Sequence, residues 1–119
     1  MNKINKYNYG KIYKICEVNK NGEKNIIYIG STVQKLNNRF SYHLKSATYI
    51  NDEKYQWKMY KYMRQQGINK FNIDLIINYN CKNEYELKEI EYEYIKLFKP
   101  KFNFIKSFEE EKKIFRKSS

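Results

Sequence analysis

The chain has 119 residues, enough for one compact domain with its own core, and 24 Lys and Arg against 13 Asp and Glu give it a formal net charge of +11. Two cysteines and a single histidine exclude a zinc site, no apolar run approaches the length of a membrane span, and no signal peptide is visible. Because Cys16 and Cys81 lie far apart, we expect free thiols in a reducing, intracellular setting without membrane contact.

The positive charge and the aromatic content both favour a nucleic-acid partner. A net charge of +11 is a strong field for a protein of this size. Aromatic residues make up 18% of the chain, and their side chains can pack or stack on bases. Lys, Asn, Ile and Tyr are all abundant, however, as an AT-rich gene would produce. A domain that is basic only through its composition is therefore an alternative.

The first two predicted elements are strands joined by a turn. Residues 10–18 alternate in hydrophobicity, residues 19–22 end in the hairpin signal Asn-Gly, and residues 25–29 return antiparallel. A four-residue turn pairs Tyr13 with Tyr28, and a two-residue turn shifts the pairing by two. Both registers leave the two tyrosines on one face, because side chains alternate with period two. A bulge of one residue between them would break this inference.

A helix over residues 33–47 follows the second strand. Gly30 is expected to end that strand, and Thr32 is a suitable helix N-cap. Arg39 and His43 are four residues apart, so they lie side by side on one border of the apolar face and lean over the strand end that carries Tyr28. A guanidinium, an imidazole and a phenol meeting there indicate a phosphate site. The ordinary alternatives are an Arg that snorkels, a structural His and a Tyr that only packs. The apolar face consists of Leu36, Phe40, Leu44 and Ala47.

The second half of the chain predicts a helix, a strand and a last helix. Residues 55–66 form a helix that ends at Gly67, and residues 71–79 alternate as a strand. Asn83, with Glu86 three residues later, is typical of a helix N-terminus, and Pro100 ends that helix near residue 99. The inner stripe of the second helix, read as core packing, consists of Trp57, Tyr60, Met63 and Arg64.

Glu91 is an unusual residue on the last helix, because it falls in the middle of the apolar face. A carboxylate among buried apolar groups is costly unless a cation, a hydrogen-bond donor or a metal meets it. From the pattern alone, a metal or catalytic role and a buried ion pair with Lys or Arg remain equally open. Glu86, Glu89 and Glu93 point away and are solvated. The apolar face consists of Leu87, Ile90, Tyr94, Leu97 and Phe98.

Taken together, these residues resemble the GIY-YIG nuclease family, as a catalytic domain standing alone. The resemblance covers nearly the whole chain, from about residue 10 to residue 105. The first motif departs in one respect, since it reads Lys-Ile-Tyr with Gly10 displaced by one residue. The match consists of Lys11-Ile12-Tyr13 and Tyr28-Ile29-Gly30, followed in order by Arg39, His43, Glu91 and Asn103.

The resemblance implies a fold and an activity. The fold is an α/β (α+β) domain in which a small three-stranded antiparallel sheet is flanked by helices. The activity is hydrolysis of DNA phosphodiester bonds with one divalent metal ion, usually Mg²⁺, for which Mn²⁺ can substitute. Homing endonucleases, restriction enzymes, the incision subunit of nucleotide-excision repair and structure-specific resolvases belong to this family.

Four of the matching residues are implied to handle the water and the phosphate. Tyr13 and Tyr28 would line the site, Arg39 would contact the scissile phosphate, and His43 occupies a position that is often His or Tyr. Arg offers a fixed fork of donors to phosphate oxygens. Tyr has a reference pKa of about 10, which we expect to fall beside a metal and a guanidinium, so either tyrosine is a candidate general base.

The remaining two residues are implied to hold the metal and orient the site. Glu91 would bind the ion, since a carboxylate suits Mg²⁺, which keeps several waters and takes few carboxylates. Asn103 would help to orient the site. A single metal carboxylate argues against a two-metal scheme.

The predicted organisation is a flexible N-terminus over residues 1–9, a nuclease domain over residues 10–105, and a charged tail or short helix over residues 106–119. Without a separate DNA-reading domain, we expect weak sequence specificity, a separate specificity subunit, or recognition of branched or damaged DNA. The first alternative function is a nucleic-acid-binding module with an inactive nuclease site.

Overall fold

The computed structural model of the protein describes residues 4–105. In chain order, its strands and α-helices are β1 (Gly10–Val18), β2 (Lys24–Thr32), α1 (Leu36–Thr48), α2 (Lys58–Gln66), β3 (Phe71–Tyr79) and α3 (Glu84–Phe98). The three strands of this part of the chain form one antiparallel sheet in the order β2-β1-β3. The predicted α+β fold, with a small antiparallel sheet flanked by helices, is confirmed.

Strand β1 lies in the middle of the sheet, and both of its faces are buried. Tyr13 and Ile15 belong to a hydrophobic cluster that includes Met63 of α2. Ile12 belongs to a second cluster, which includes Leu87 of α3. The sheet is thus a layer between α1 and α2 on one side and α3 on the other, and for this reason β1 is apolar on both sides.

The hairpin register keeps Tyr13 and Tyr28 on one face of the sheet, as predicted. Tyr13 pairs with Gly30 and Ile15 pairs with Tyr28, which is the pairing expected for a two-residue turn. The connection is longer than that, and a β-bulge between Ile15 and the turn absorbs the difference. The connection alone, with its odd number of residues between Val18 and Lys24, would place the two tyrosines on opposite faces. The one-residue bulge, which lies between them along the chain, restores the shared face.

Two helices begin later than the sequence predicted. Thr32 is the last residue of β2 and not the N-cap of α1, and its hydroxyl accepts a hydrogen bond from the Gln34 amide at 3.1 Å. Helix α1 therefore starts at Leu36, and α2 starts at Lys58 instead of near residue 55. The predicted end of α2 is confirmed, since Gly67 has a φ of 108°, a conformation that favours glycine.

Helix α3 has the predicted ends. The Asn83 side chain accepts a hydrogen bond from the Glu86 amide at 2.9 Å. At the other end, Lys99 adopts a left-handed conformation with a φ of 47°, directly before Pro100. Proline disfavours a helical conformation in the residue before it, so the helix stops where the sequence indicated.

The buried face of α3 differs from the predicted one at its C-terminal end. Leu97 is 70% exposed and Phe98 is 46% exposed, so neither belongs to the core. Ile95 is buried instead. Ile95 continues the row of Leu87 and Glu91 at four-residue spacing, so it faces the sheet one turn further along the helix.

The ends of the described chain bear on the predicted organisation. A short 3-10 helix over Lys6–Tyr9 precedes β1, and the Tyr7 carbonyl accepts a hydrogen bond from the Cys81 amide at 2.9 Å. Regular structure thus begins within residues 1–9, which the sequence suggested to be flexible. The boundaries of the three segments stay predictions, and the tail over residues 106–119 lies outside the described residues. Among residues 4–105, no helix has the length and apolar character needed to cross a membrane.

Candidate active site

A hydrogen-bonded cluster surrounds the phenol of Tyr13. This residue is fully buried on the central strand. Arg39 and His43, one turn apart on α1, both reach its hydroxyl: Arg39 Nε donates to it at 3.2 Å, and His43 Nε2 lies 2.8 Å from it. The sequence placed this guanidinium and this imidazole beside the phenol of Tyr28, whereas in the structure both contact the hydroxyl of Tyr13.

His43 is buried between two phenols. Its Nε2 contacts the Tyr13 hydroxyl, and its Nδ1 lies 2.8 Å from the Tyr60 hydroxyl. Burial, with the positive charges of Arg39 and Lys54, lowers the pKa of His43 to about 3. The imidazole is therefore neutral near pH 7. A neutral imidazole donates from one nitrogen and accepts at the other, so His43 links the two phenols in one hydrogen-bonded chain.

Tyr28 completes the aromatic side of the site. Its ring centroid lies 6.4 Å from that of Tyr13 and 5.7 Å from that of His43. Burial raises the pKa of Tyr13 to about 12, although Arg39 acts in the opposite direction, and burial also raises the pKa of Tyr28. Arg39 does act to lower the pKa of both phenols, as expected, but the loss of hydration is the larger effect.

Gly30 lies inside β2 and does not end the strand, contrary to expectation. A Cβ atom at this position would lie 2.5 Å from Cζ of Tyr13. Carbon atoms that are not bonded to each other do not approach so closely, so a larger residue at position 30 would displace the phenol ring of Tyr13. Glycine is therefore required at position 30 of β2, because only a residue without a side chain leaves room for the Tyr13 ring of the neighbouring strand β1.

Glu91 of α3 is the carboxylate of the site. Its side chain is 16% exposed, and its Oε1 accepts a hydrogen bond from Ser31 Oγ at 2.7 Å. After burial, the charge of Glu91 is among the factors that raise the pKa of Tyr13 and of Tyr28. The charge of the carboxylate therefore acts on both phenols. Ser31 was not among the predicted site residues. The sequence feature that could have identified it is its position directly after Tyr28-Ile29-Gly30, on the side of β2 that faces α3.

The ion-pair interpretation of Glu91 is met only in part. Lys88, one turn earlier on α3, has its Nζ 3.4 Å from Glu91 Oε1, and its side chain is 53% exposed. Exposed pairs of this kind contribute about 0–1 kcal/mol. A carboxylate has about four lone-pair sites, so one hydroxyl and one half-exposed ammonium do not saturate it.

The donor set fits a divalent cation that keeps most of its waters. Within residues 4–105, no three His, Cys, Asp or Glu side chains cluster as a metal cage. One partly exposed carboxylate beside a serine hydroxyl is nevertheless the kind of sparse oxygen site that Mg²⁺ uses when waters and substrate phosphates supply the other ligands. Glu91 is the residue that would hold such an ion.

Asn103 contacts the backbone of β2 rather than another side chain of the site. Its Oδ1 accepts a hydrogen bond from the Ile29 amide at 2.7 Å, and its Nδ2 donates to the Ile29 carbonyl at 2.8 Å. The neighbouring Phe102 amide donates to the Ile27 carbonyl at 3.0 Å. The segment after α3 is therefore fastened along the edge strand next to Tyr28.

A cleft of about 610 Å³ opens beside the cluster. Arg39, His43 and Tyr28 line it, whereas Tyr13 and Glu91 are not among its lining residues. Aromatic and basic side chains form much of its wall, and among the described lining residues none is acidic. A cleft of this character suits an anionic ligand that carries flat rings.

Two residues of the cleft were expected in the core of α2. Tyr60 is buried, as predicted, but its hydroxyl contacts His43, so it belongs to the hydrogen-bonded cluster as well. Trp57 precedes the helix and is 54% exposed, so the expectation of an inward-facing Trp57 is wrong. The periodicity of a helix cannot place a residue that lies before its first turn.

The fold and this cluster define a small α+β domain that presents phenols, a guanidinium and a carboxylate at one site. Residues 9–103 match the GIY-YIG catalytic domain family. The chain therefore belongs to the GIY-YIG family, whose members are generally nucleases, and the resemblance drawn from the sequence is confirmed. No curated protein and no solved structure is significantly similar to the chain.

Proposed function

We propose that the protein is a metal-dependent endonuclease that hydrolyses DNA phosphodiester bonds. The proposal is carried by the convergence of Arg39 and His43 on the Tyr13 hydroxyl, together with the Glu91 carboxylate, which Ser31 holds directly after Tyr28-Ile29-Gly30. Family membership and the net charge of +11 support it.

Arg39 would bind the scissile phosphate. It lines the cleft, and Tyr13 holds its Nε in place. Among the described residues no carboxylate forms an ion pair with it. The terminal nitrogens of the guanidinium are therefore available as a fork of donors, which matches two phosphate oxygens and offsets the charge that builds up on them during attack.

Tyr28 would receive the proton of the attacking water. Tyr28 lines the cleft, whereas Tyr13 is fully buried, so water can reach the first phenol and not the second. The Tyr28 phenol would first lose its proton to solvent. The water oxygen would then form a bond to phosphorus while its proton passes to the Tyr28 phenolate, and the bond to the leaving oxygen would break, so that this oxygen departs as an alkoxide and takes a proton from solvent. Tyr13 and His43 act as positioning residues, since the Tyr13 hydroxyl accepts a hydrogen bond from Arg39 and His43 in turn holds that hydroxyl.

Glu91 would hold the metal ion, which we propose to be Mg²⁺, with Mn²⁺ as a substitute. A bound divalent ion supplies positive charge that favours the phenolate form of a nearby tyrosine and stabilises charge on the phosphate. Ser31 orients the carboxylate through its hydrogen bond. Asn103 fixes the part of β2 that carries Tyr28 and so sets the position of this phenol.

The site alone offers no element that reads a DNA sequence. We therefore propose that specificity arises from DNA structure or from a separate specificity subunit. We also propose an intracellular location, supported by Cys16 and Cys81, which are both buried and unpaired.

The experiment that tests the function compares the parent protein with Glu91→Gln on plasmid, linear, single-stranded and branched DNA, with Mg²⁺ or Mn²⁺. The amide keeps the size of the side chain and removes the charge that attracts the cation. We expect cleavage by the parent and a loss of roughly 1,000-fold or more in the variant, with the fold and DNA binding retained.

The matched control is Glu89→Gln, which removes the same charge from an exposed position of α3. This control should cleave at the parental rate. Equal cleavage by Glu91→Gln would refute the assignment of the metal ligand. If neither protein cleaves DNA but both bind it in a salt-sensitive way, the nucleic-acid-binding module with an inactive site is the better description.

A further inference from the structure

Two of the residues that line the cleft, the exposed Trp57 and the buried Tyr60, have stacked aromatic rings. Trp57 is 54% exposed, and its ring stacks on that of Tyr60 with centroids 6.1 Å apart and an interplanar angle of 16°. Tyr60 is buried, and its hydroxyl is held by His43. One face of the indole is therefore supported by a fixed neighbour, while much of the residue is open to solvent.

A second exposed ring lines the same cleft. Phe104 is 70% exposed and follows Asn103, which anchors the segment to β2. Large exposed apolar side chains grouped around one cleft are typical of binding surfaces. The cleft, at about 610 Å³, lies in the size range of pockets that bind organic ligands.

The charge of the cleft indicates the chemistry of the ligand. Lys54 lies with its Nζ 5.1 Å from the centre of the Trp57 ring, and Lys58, Lys101 and Arg39 also line the cleft. None of the described lining residues is acidic. Flat rings beside several cations fit a ligand that is both planar and anionic, and a nucleotide is the polymer unit with both properties.

A base inside an intact duplex presents only its edges, because its two faces are covered by neighbouring bases. Trp57 offers a flat face and not a set of donors and acceptors that would read an edge. A base can lie on this face only after it has left the stack, as an unpaired or displaced nucleotide does.

We propose that Trp57, stacked on Tyr60, is a binding platform for an unpaired base of the DNA beside the phosphate that Arg39 binds. The preferred substrate is then DNA with an unpaired nucleotide at the cut, as in single strands, bulges or branch points. This inference rests on the proposed function, since it places the base relative to the scissile phosphate. Tyr60 supports the Trp57 ring and also contacts His43 through its hydroxyl, so this one residue helps to position both the bound base and the active-site cluster.

Trp57 is the single tryptophan of the chain, so its fluorescence reports directly on the platform. The protein is titrated with a short DNA single strand, with a fully paired duplex, and with the same duplex carrying one unpaired nucleotide. EDTA is present so that binding is measured without metal-dependent cleavage. We expect the single strand and the bulged duplex to quench Trp57 strongly, and the paired duplex to bind with little quenching.

The affinity of labelled DNA is then compared between the parent protein and Trp57→Ala. Loss of base stacking should weaken binding of the bulged duplex about 5- to 150-fold while leaving the paired duplex nearly unchanged. Trp57→Phe, which keeps a ring, should restore most of the preference. Tyr49→Ala is the matched control, because Tyr49 is 58% exposed but is not among the residues that line the cleft.

The outcomes separate this inference from the proposed function. Equal quenching by all three DNAs, or an equal loss of affinity for all of them in Trp57→Ala, would overturn the platform even if the protein cleaves DNA. Selective quenching that depends on Trp57, in a protein that cleaves none of them, would support the platform and count against the nuclease.

Discussion

The two ends of the candidate site differ in how fully the protein satisfies their polar groups. Around Tyr13, both nitrogens of His43 contact phenols and Arg39 donates to the same hydroxyl. Around Glu91, a single serine hydroxyl and a half-exposed lysine are the partners. At the Tyr13 end, which we call the arranged end, protein groups satisfy the polar atoms. At the Glu91 end, which we call the open end, coordination sites of the carboxylate remain open. The two ends should therefore respond differently to mutation, pH and metal.

Arg39→Ala should have the largest effect on the arranged end. It removes the fork that we propose for the phosphate and one of the two contacts of the Tyr13 hydroxyl. We expect the cleavage rate at saturating metal to fall roughly 100- to 1,000-fold, with the metal requirement unchanged. Lys35→Ala, an exposed change of the same charge, is the control. A similar small loss in both variants would show that Arg39 only adds to the general positive field.

His43 makes the stability of the arranged end sensitive to acid. Its pKa is lowered to about 3 in the folded protein against about 6.5 when unfolded, so the unfolded chain binds the extra proton as the pH falls below 6.5. Stability is therefore fully present above pH 6.5 and declines toward pH 3. Between pH 7 and pH 5 the free energy of unfolding should fall by about 2 kcal/mol from this residue.

The measurement is urea unfolding of the parent protein and of His43→Gln at the two pH values. His43 is the only histidine of the chain, so no second imidazole contributes. The variant is expected to be less stable at pH 7 but to lose about 2 kcal/mol less on acidification. The same pH dependence in both proteins would show that His43 is protonated without cost in the folded state.

Ser31→Ala should have the smallest effect, and it acts on the open end. The change removes the hydroxyl that orients the Glu91 carboxylate and leaves the carboxylate in place. We expect the Mg²⁺ concentration for half-maximal cleavage to rise about tenfold, with the rate at saturating metal nearly restored. Ser41→Ala, an exposed serine of α1, should leave both values unchanged. An unchanged metal requirement in Ser31→Ala would remove this serine from the site.

Local patterns in the sequence predicted most of the fold. Alternation and four-residue spacing identified each strand and α-helix of the described residues, and the ends of α2 and α3 followed from Gly67 and Pro100. These features depend on a few residues that are neighbours in the sequence. Tyr13 and Tyr28 also share a face as predicted, but only because a one-residue bulge offsets a connection of odd length, and the sequence predicted neither of these.

Burial was predicted less well, because it depends on what a distant segment covers. Trp57 and Leu97 occupy apolar positions in the sequence but face solvent, while Ser31 gained its importance from Glu91, 60 residues away. Gly30 was expected to break the strand, yet its requirement arises from the Tyr13 ring on the neighbouring strand. None of these relations is visible before the elements pack together.

The sequence by itself determined the order of strands and helices, the family, and which side chains are chemically able to form a site. Only the tertiary structure decided the electrostatic state of that site. Packing of α1 and α2 over β1 excludes water from Tyr13 and His43, so burial raises the pKa of the phenol and lowers that of the imidazole. Hydration is lost through contacts between segments far apart in the chain, so no local pattern records it.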